Sequence, residues 1–145
     1  MNEVKNIVLA ALASIGSVIA HALGGWDTAL AVLVAMMAAD YITGLLLALV
    51  WHKSDKTESG AFASSACYIG LLRKGLMLII VWIGVMLDRV IGADYVRTAV
   101  ILFFIANEGL SILENTAIMG VPYPKFLKAA LEAMREKTDE GKDSE

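Results

Sequence analysis

The chain has 145 residues, 58% of them hydrophobic, and a formal net charge of −3. Its mean hydropathy is +0.67, and the apolar excess over the ~45–50% of a soluble domain falls in blocks, which predicts an integral membrane protein. The mild negative charge argues against a nucleic-acid partner. His21 and His52 lack ligand spacing and Cys67 stands alone, so no disulfide framework within the chain, metal or cofactor is expected.

In chain order, a short polar start with Lys5 leads into residues 7–23, about 17 apolar or small residues and ~25 Å of helix. That is near the lower limit for crossing ~30 Å of hydrocarbon. Gly16, Ala20 and Gly24 recur every four residues, a spacing that lets helix backbones approach closely. A cleaved signal peptide is the alternative, since Lys5 is a thin basic start and Ala20-His21-Ala22 resembles a small-x-small site. The multi-span context favours a retained helix.

Gly24-Gly25 ends that segment and Asp27 is placed to cap the next. Residues 28–50 form the clearest span, bracketed by Trp26 and Trp51 where interfacial aromatics sit. Asp40 falls in its middle, followed by Thr43 and Gly44. A carboxylate there costs ~2.5–3.5 kcal/mol on insertion scales. It must face protein or water, or be protonated, either tying helices together or lining a path.

Residues 52–74 read as a polar connection with Lys53, Lys56, Arg73 and Lys74, and a flexible Ser59-Gly60-Ala61 run. The apolar stretch 76–87 is short, ~18 Å of helix. A third span therefore covers about 70–91, with Arg73 and Lys74 snorkelling at one end and Asp88 and Arg89 at the other, or pairing with polar groups on neighbouring helices.

A fourth segment, 97–115, reads RTAVILFFIANEGLSILEN. It is apolar enough to enter a membrane but carries Arg97, Asn107, Glu108, Ser111, Glu114 and Asn115. At ~100° per residue, with Asn107 as zero, all six fall within roughly a third of the circumference. The other side holds Ile101, Phe103, Ile105, Gly109, Leu110 and Ile112. The pattern predicts a polar stripe that lines a pore or an interhelical contact.

Gly120 and Pro122 end that helix and Pro124 starts another. Over 121–137, Phe126, Leu127, Ala130, Leu131 and Met134 share an apolar face opposite Lys125, Lys128, Glu132, Arg135 and Glu136. This is an amphipathic helix for a membrane surface or a partner. Residues 138–145 form a polar tail expected to be disordered.

The predicted fold is therefore all-α: four transmembrane helices within residues 1–120, spanning about 7–23, 28–50, 70–91 and 96–115, plus a C-terminal amphipathic helix. With both termini cytoplasmic, most Lys and Arg residues lie inside and only Arg89 and Arg97 outside, as the positive-inside tendency requires. A three-span arrangement with the last segment in the interface separates the basic connection from the C-terminus. No nucleophilic triad, phosphate loop or metal-binding motif is visible, which argues against an enzyme.

Two stretches carry a family resemblance. Asp40-Tyr41-Ile42-Thr43-Gly44-Leu45 resembles the DYITG motif of the phage-lysis and toxin-secretion holins. Arg97-Thr98-Ala99-Val100, then Ile105-Ala106-Asn107-Glu108-Gly109-Leu110-Ser111-Ile112-Leu113-Glu114-Asn115, resembles that family's RTAV…IANEG-SILEN signature. The Gly24-Gly25-Trp26-Asp27 turn and the Gly120-Val121-Pro122-Tyr123-Pro124 turn also fit, and the match covers about 23–137. The connection from Trp51 to Cys67 is longer and less basic than the family's. The resemblance implies a small protein of the bacterial inner membrane that forms homo-oligomers in the lipid bilayer. It would permeabilise that membrane so that an endolysin reaches the peptidoglycan, or export a toxin-like protein. From the residues alone, a small proton-coupled transporter or ion channel is the competing reading, and a non-conducting subunit docking another membrane protein is a third. Met1 is the only methionine before Met36, so no nearby internal start offers a slightly shortened inhibitor.

Overall fold

A computed structural model describes residues 2–51 and 64–140, with side chains to 137. The elements are α1 (Asn2–Ala22), α2 (Thr28–Leu46) with a π-helical turn (Leu47–Trp51) at its end, α3 (Ser64–Ile91), α4 (Val96–Ile118) and α5 (Lys125–Glu140). No strand occurs among the described residues. The first four helices, counting α2 with its π turn as Thr28–Trp51, are each long and apolar enough to cross a membrane. The architecture is therefore all-α and multi-pass, as the blocks of hydropathy require.

Two boundaries differ from the sequence reading. Helix α3 starts at Ser64, so Arg73 and Lys74 lie well inside a helix rather than in a polar connection. An apolar 76–87 stretch looks too short because Lys74 interrupts it; the helix continues because Lys74 has partners inside the bundle. Helix α5 runs to Glu140, so the first three residues of the expected tail are helical. The Ser59-Gly60-Ala61 run, with Lys53 and Lys56, lies outside the described residues, as does 141–145.

Helix α4 is the central element. It is covered by α2, α3 and α5, and Ile101, Phe104, Ile105, Ala106, Leu110 and Leu113 are buried along it. Its apolar side thus faces protein. Leu23, Leu30, Leu33, Met37, Val81, Ile101, Phe104 and Ile105 form the core. Apart from Leu23, just after α1, these residues come from the first halves of α2 and α4 and the second half of α3, so the dry core fills one end of the bundle, the end that carries the 24–27 turn.

Two close approaches set the packing. A Cβ on Gly84 of α3 would stand 3.1 Å from the Cα of Arg97, so α3 and α4 meet backbone to backbone there. A Cβ on Gly109 of α4 would stand 2.9 Å from Cδ1 of Leu131 and 3.0 Å from Cε of Met36. The Gly109 notch therefore seats α5 on one side and α2 on the other. The amphipathic helix expected at a membrane surface or a partner lies against α4 of its own chain, with Phe126 exposed.

Helix α1 behaves differently. None of its residues is buried, and Gly16 has open space around it. The small-residue packing expected at Gly16 thus has no counterpart among the described residues. Ser14 satisfies its hydroxyl on the Ala10 carbonyl at 2.8 Å, which suits a helix surrounded by lipid.

Candidate functional site

Helices α2, α3 and α4 each bring an ionisable group to one level of the bundle. Lys74 is carried inward by the buried register of α3, where Met77, Val81, Val85 and Asp88 follow at helical spacing. Its Nζ donates to Oδ2 of Asp40 on α2 at 2.8 Å and to Oε2 of Glu108 on α4. All three side chains are largely hidden: relative exposures are 11% for Lys74, 8% for Asp40 and 9% for Glu108. Charges buried to this extent persist only when paired and hydrogen-bonded. An Asp, a Glu and a Lys on three separate helices meet that condition by crossing the bundle.

The network continues through Asn115, also buried. Its Nδ2 donates to Oγ1 of Thr43 at 3.1 Å and to Oδ1 of Asp40 at 3.4 Å. Thr43 in turn donates to the Asp40 carbonyl at 3.0 Å. Asp40 and Thr43 from the 40–45 stretch thus touch Asn115 directly and Glu108 through Lys74, so the two stretches that carry the resemblance form one cross-linked site. Among the described residues, no buried side-chain nitrogen or oxygen lacks a partner.

The six polar residues of α4 meet different surroundings along the helix. Glu108 and Asn115 enter the network, Asn107 and Ser111 line a cleft beside it, and Glu114 is exposed. Arg97 turns away to the 24–27 turn. Its Nε donates to the Leu23 carbonyl at 2.5 Å, and its Nη2 to the Gly25 carbonyl at 3.1 Å. Nη1 lies 2.6 Å from Oδ2 of Asp27. The helical wheel groups these residues by angle, but their fate depends on height along α4 and on which helix covers that height. The hydrogen bond from Arg97 holds the Asp27 carboxyl below its ordinary range. Asp27 also caps α2 by accepting from the Leu30 N–H at 2.9 Å.

Gly24, nominated for helix packing, serves that turn. Its φ of +87° and a Cβ position 2.7 Å from Nε of Arg97 leave room for glycine alone. Ala20 is half-buried, and Gly44 lines the cleft. Asp88, expected to snorkel or to pair with polar groups on a neighbouring helix, does the second by capping α4: its two carboxylate oxygens accept from the N–H groups of Val96 and Arg97, each at 2.9 Å.

The cleft has a volume of about 710 Å³ and lies between α2, α3 and α4. Asp40, Lys74 and Glu108 line its deep side, with Asn107, Ser111 and Arg73 beside them and Tyr41, Met77 and Phe104 among its apolar lining. No cluster of three or more metal-ligating side chains occurs among the described residues.

Lys74 is the site residue that sequence reasoning missed. The signal was present: two carboxylates within spans require a cation, and Lys74 falls on the same face of α3 as Met77, Val81 and Asp88.

Comparison with known proteins gives the family. A model of the bacteriophage holin family matches residues 17–136. The chain is 35% identical over 139 residues to an uncharacterised 14.9 kDa protein in the nagH 3′ region of Clostridium perfringens, covering 94% of this chain and 99% of that one. It is 37% identical over 114 residues to an uncharacterised protein of Listeria innocua, covering 78% and 76%. It is also 33% identical over 102 residues to a protein of Bacillus phage phi105 described as a probable holin, covering 70% of each chain. No solved structure matches. With nearly the whole bundle inside the matched region, the chain belongs to the bacteriophage holin family.

Proposed function

We propose that this holin-family membrane protein accumulates in the cytoplasmic membrane, assembles with copies of itself, and permeabilises the bilayer so that an endolysin reaches the peptidoglycan. Family membership over residues 17–136 carries the reading. Export of a toxin-like protein by the same route is the variant of this reading in which the cargo differs. No catalytic role is proposed for any residue, and the partners are lipid and other copies of the chain.

The buried network supports an assembly that builds up and then changes. Three charged groups sealed in one bundle favour a closed chain while dilute. The same groups can meet neighbours or water in a larger ring, whose stability rises with concentration by mass action. Glu114, exposed on α4, is the polar group we assign to contacts between copies. Both termini are placed on the cytoplasmic side, which keeps Lys5, Lys53, Lys56 and the basic residues of α5 inside. Lys74 no longer counts toward that balance, and the asymmetry remains without it.

Induced expression in a bacterial host, with membrane potential and entry of an impermeant dye followed together, tests the proposal. The expected result is a delay followed by abrupt dye entry. Viable, polarised cells at full expression would overturn it.

A further inference from the structure

The cleft is asymmetric along the bundle. It reaches Ala48, Ala66 and Cys67 at the end where the 52–63 connection joins α2 to α3. It stops at the level of Ile80 and Phe104, where the dry core begins. Beyond that level Leu30, Leu33, Val81 and Ile101 are each 0% exposed. One half of the bundle is thus an open, partly polar hollow, and the other half is a sealed apolar plug.

The lining decides what fills the hollow. Arg73, Asn107 and Ser111 line the cleft beside the Asp40–Lys74–Glu108 bridge, the first two exposed and the third half-buried. Polar groups open to the cleft within a span need water or another polar group, because acyl chains offer them nothing. The volume of about 710 Å³ accommodates roughly twenty waters at ~30 Å³ each.

We propose that this cleft is a water-filled half-channel within the single chain. It leads water and protons from the face carrying the 52–63 connection to the Asp40–Lys74–Glu108 bridge, and is closed beyond it by Leu30, Leu33, Val81 and Ile101. Each chain then contains its own gated path for water and protons, distinct from any lesion formed between copies. The path does not depend on assembly, so it stands or falls separately from the lysis reading.

Cys67 lines the hollow and serves as a probe in the unaltered chain. In right-side-out and inside-out membrane vesicles, a charged, membrane-impermeant methanethiosulfonate is expected to label Cys67 in one preparation only. That preparation should be the one in which a Cys67→Ser, Ser64→Cys chain, with the new thiol at the exposed start of α3, is also labelled. Labelling by a lipid-soluble maleimide alone means that acyl chains fill the cleft, and labelling by the charged reagent from both sides means that no plug exists; either result overturns the proposal. A second measurement uses the full chain in liposomes at less than one chain per vesicle. Leu33→Ala with Ile101→Ala is expected to raise proton influx about tenfold over the unaltered chain, while the volume-conserving Leu33→Met leaves it unchanged. Equal influx in all three would also overturn the half-channel.

Discussion

Lys74 on α3 holds Asp40 on α2 through an ion pair of 2.8 Å, and the same ammonium reaches Glu108 on α4. One cation therefore joins three helices whose direct packing is uneven, since α4 contacts α2 and α3 closely while α2 and α3 touch each other much less. Removing the cation leaves two largely buried carboxylates facing one another with no counter-charge between them. Lys74→Met should destabilise the fold by ~3–5 kcal/mol, the usual scale for breaking a buried ionic group. Thermal unfolding in detergent measures it. Asp40→Asn, Lys74→Met and Glu108→Gln combined should recover most of the loss, because no unpaired charge then remains.

Gly109 makes a second prediction. Its missing side chain leaves the space that Leu131 and Met36 occupy. Gly109→Ala meets only flexible side-chain ends and should be tolerated with α5 still seated. Gly109→Val should release α5 from α4, read as faster proteolysis and hydrogen exchange over Lys125–Glu140 with α2, α3 and α4 still protected. Unchanged protection of α5 in the valine variant would contradict the seating.

Asp88 carries the third. Its carboxylate caps α4 from the preceding helix, where Tyr95 offers no side-chain cap of its own. Asp88→Ala should cost about 1 kcal/mol, as loss of a helix cap usually does, and fray the first turn of α4. Hydrogen exchange at Val96 and Arg97 reads it directly. Asp88→Asn, which keeps an acceptor oxygen, should lose less.

Arg97 and Asp27 give a pH prediction. The arginine hydrogen bond lowers the Asp27 carboxyl from its ordinary value of 3.8. A group depressed in the fold contributes its stability fully above the ordinary value, and loses it as pH falls through the lowered one. Between pH 5 and 8 the α1–α2 turn should therefore be insensitive to pH. Arg97→Gln should raise the carboxyl titration midpoint of Asp27, followed by NMR, toward 3.8.

Much of this organisation was legible in the residues. Four apolar blocks marked four spans, and the acids Asp40 and Glu108 marked a place where lipid could not be the neighbour. Asp27 and the Gly24-Gly25 turn marked a helix boundary. What hydropathy hid was Lys74, because a lysine near the end of an apolar run reads as a snorkelling group. Only the register of α3 shows that it points inward. On α4, angle places Arg97 with Asn115, yet ~27 Å of helix separates them, and each meets a different partner. The seating of α5 on Gly109 was invisible because a glycine in a helix announces space and not its occupant.

The proposed role of this holin-family chain is to open the cytoplasmic membrane to a folded enzyme. The most direct measurement co-expresses the chain with a peptidoglycan hydrolase that lacks its own export signal, and records hydrolase activity outside the cytoplasm together with culture turbidity. The account predicts that neither protein alone lyses the culture, and that together they give a delayed, abrupt fall in turbidity. It predicts further that Glu108→Leu shifts or abolishes that moment. Hydrolase retained in the cytoplasm at full expression of the chain would contradict it.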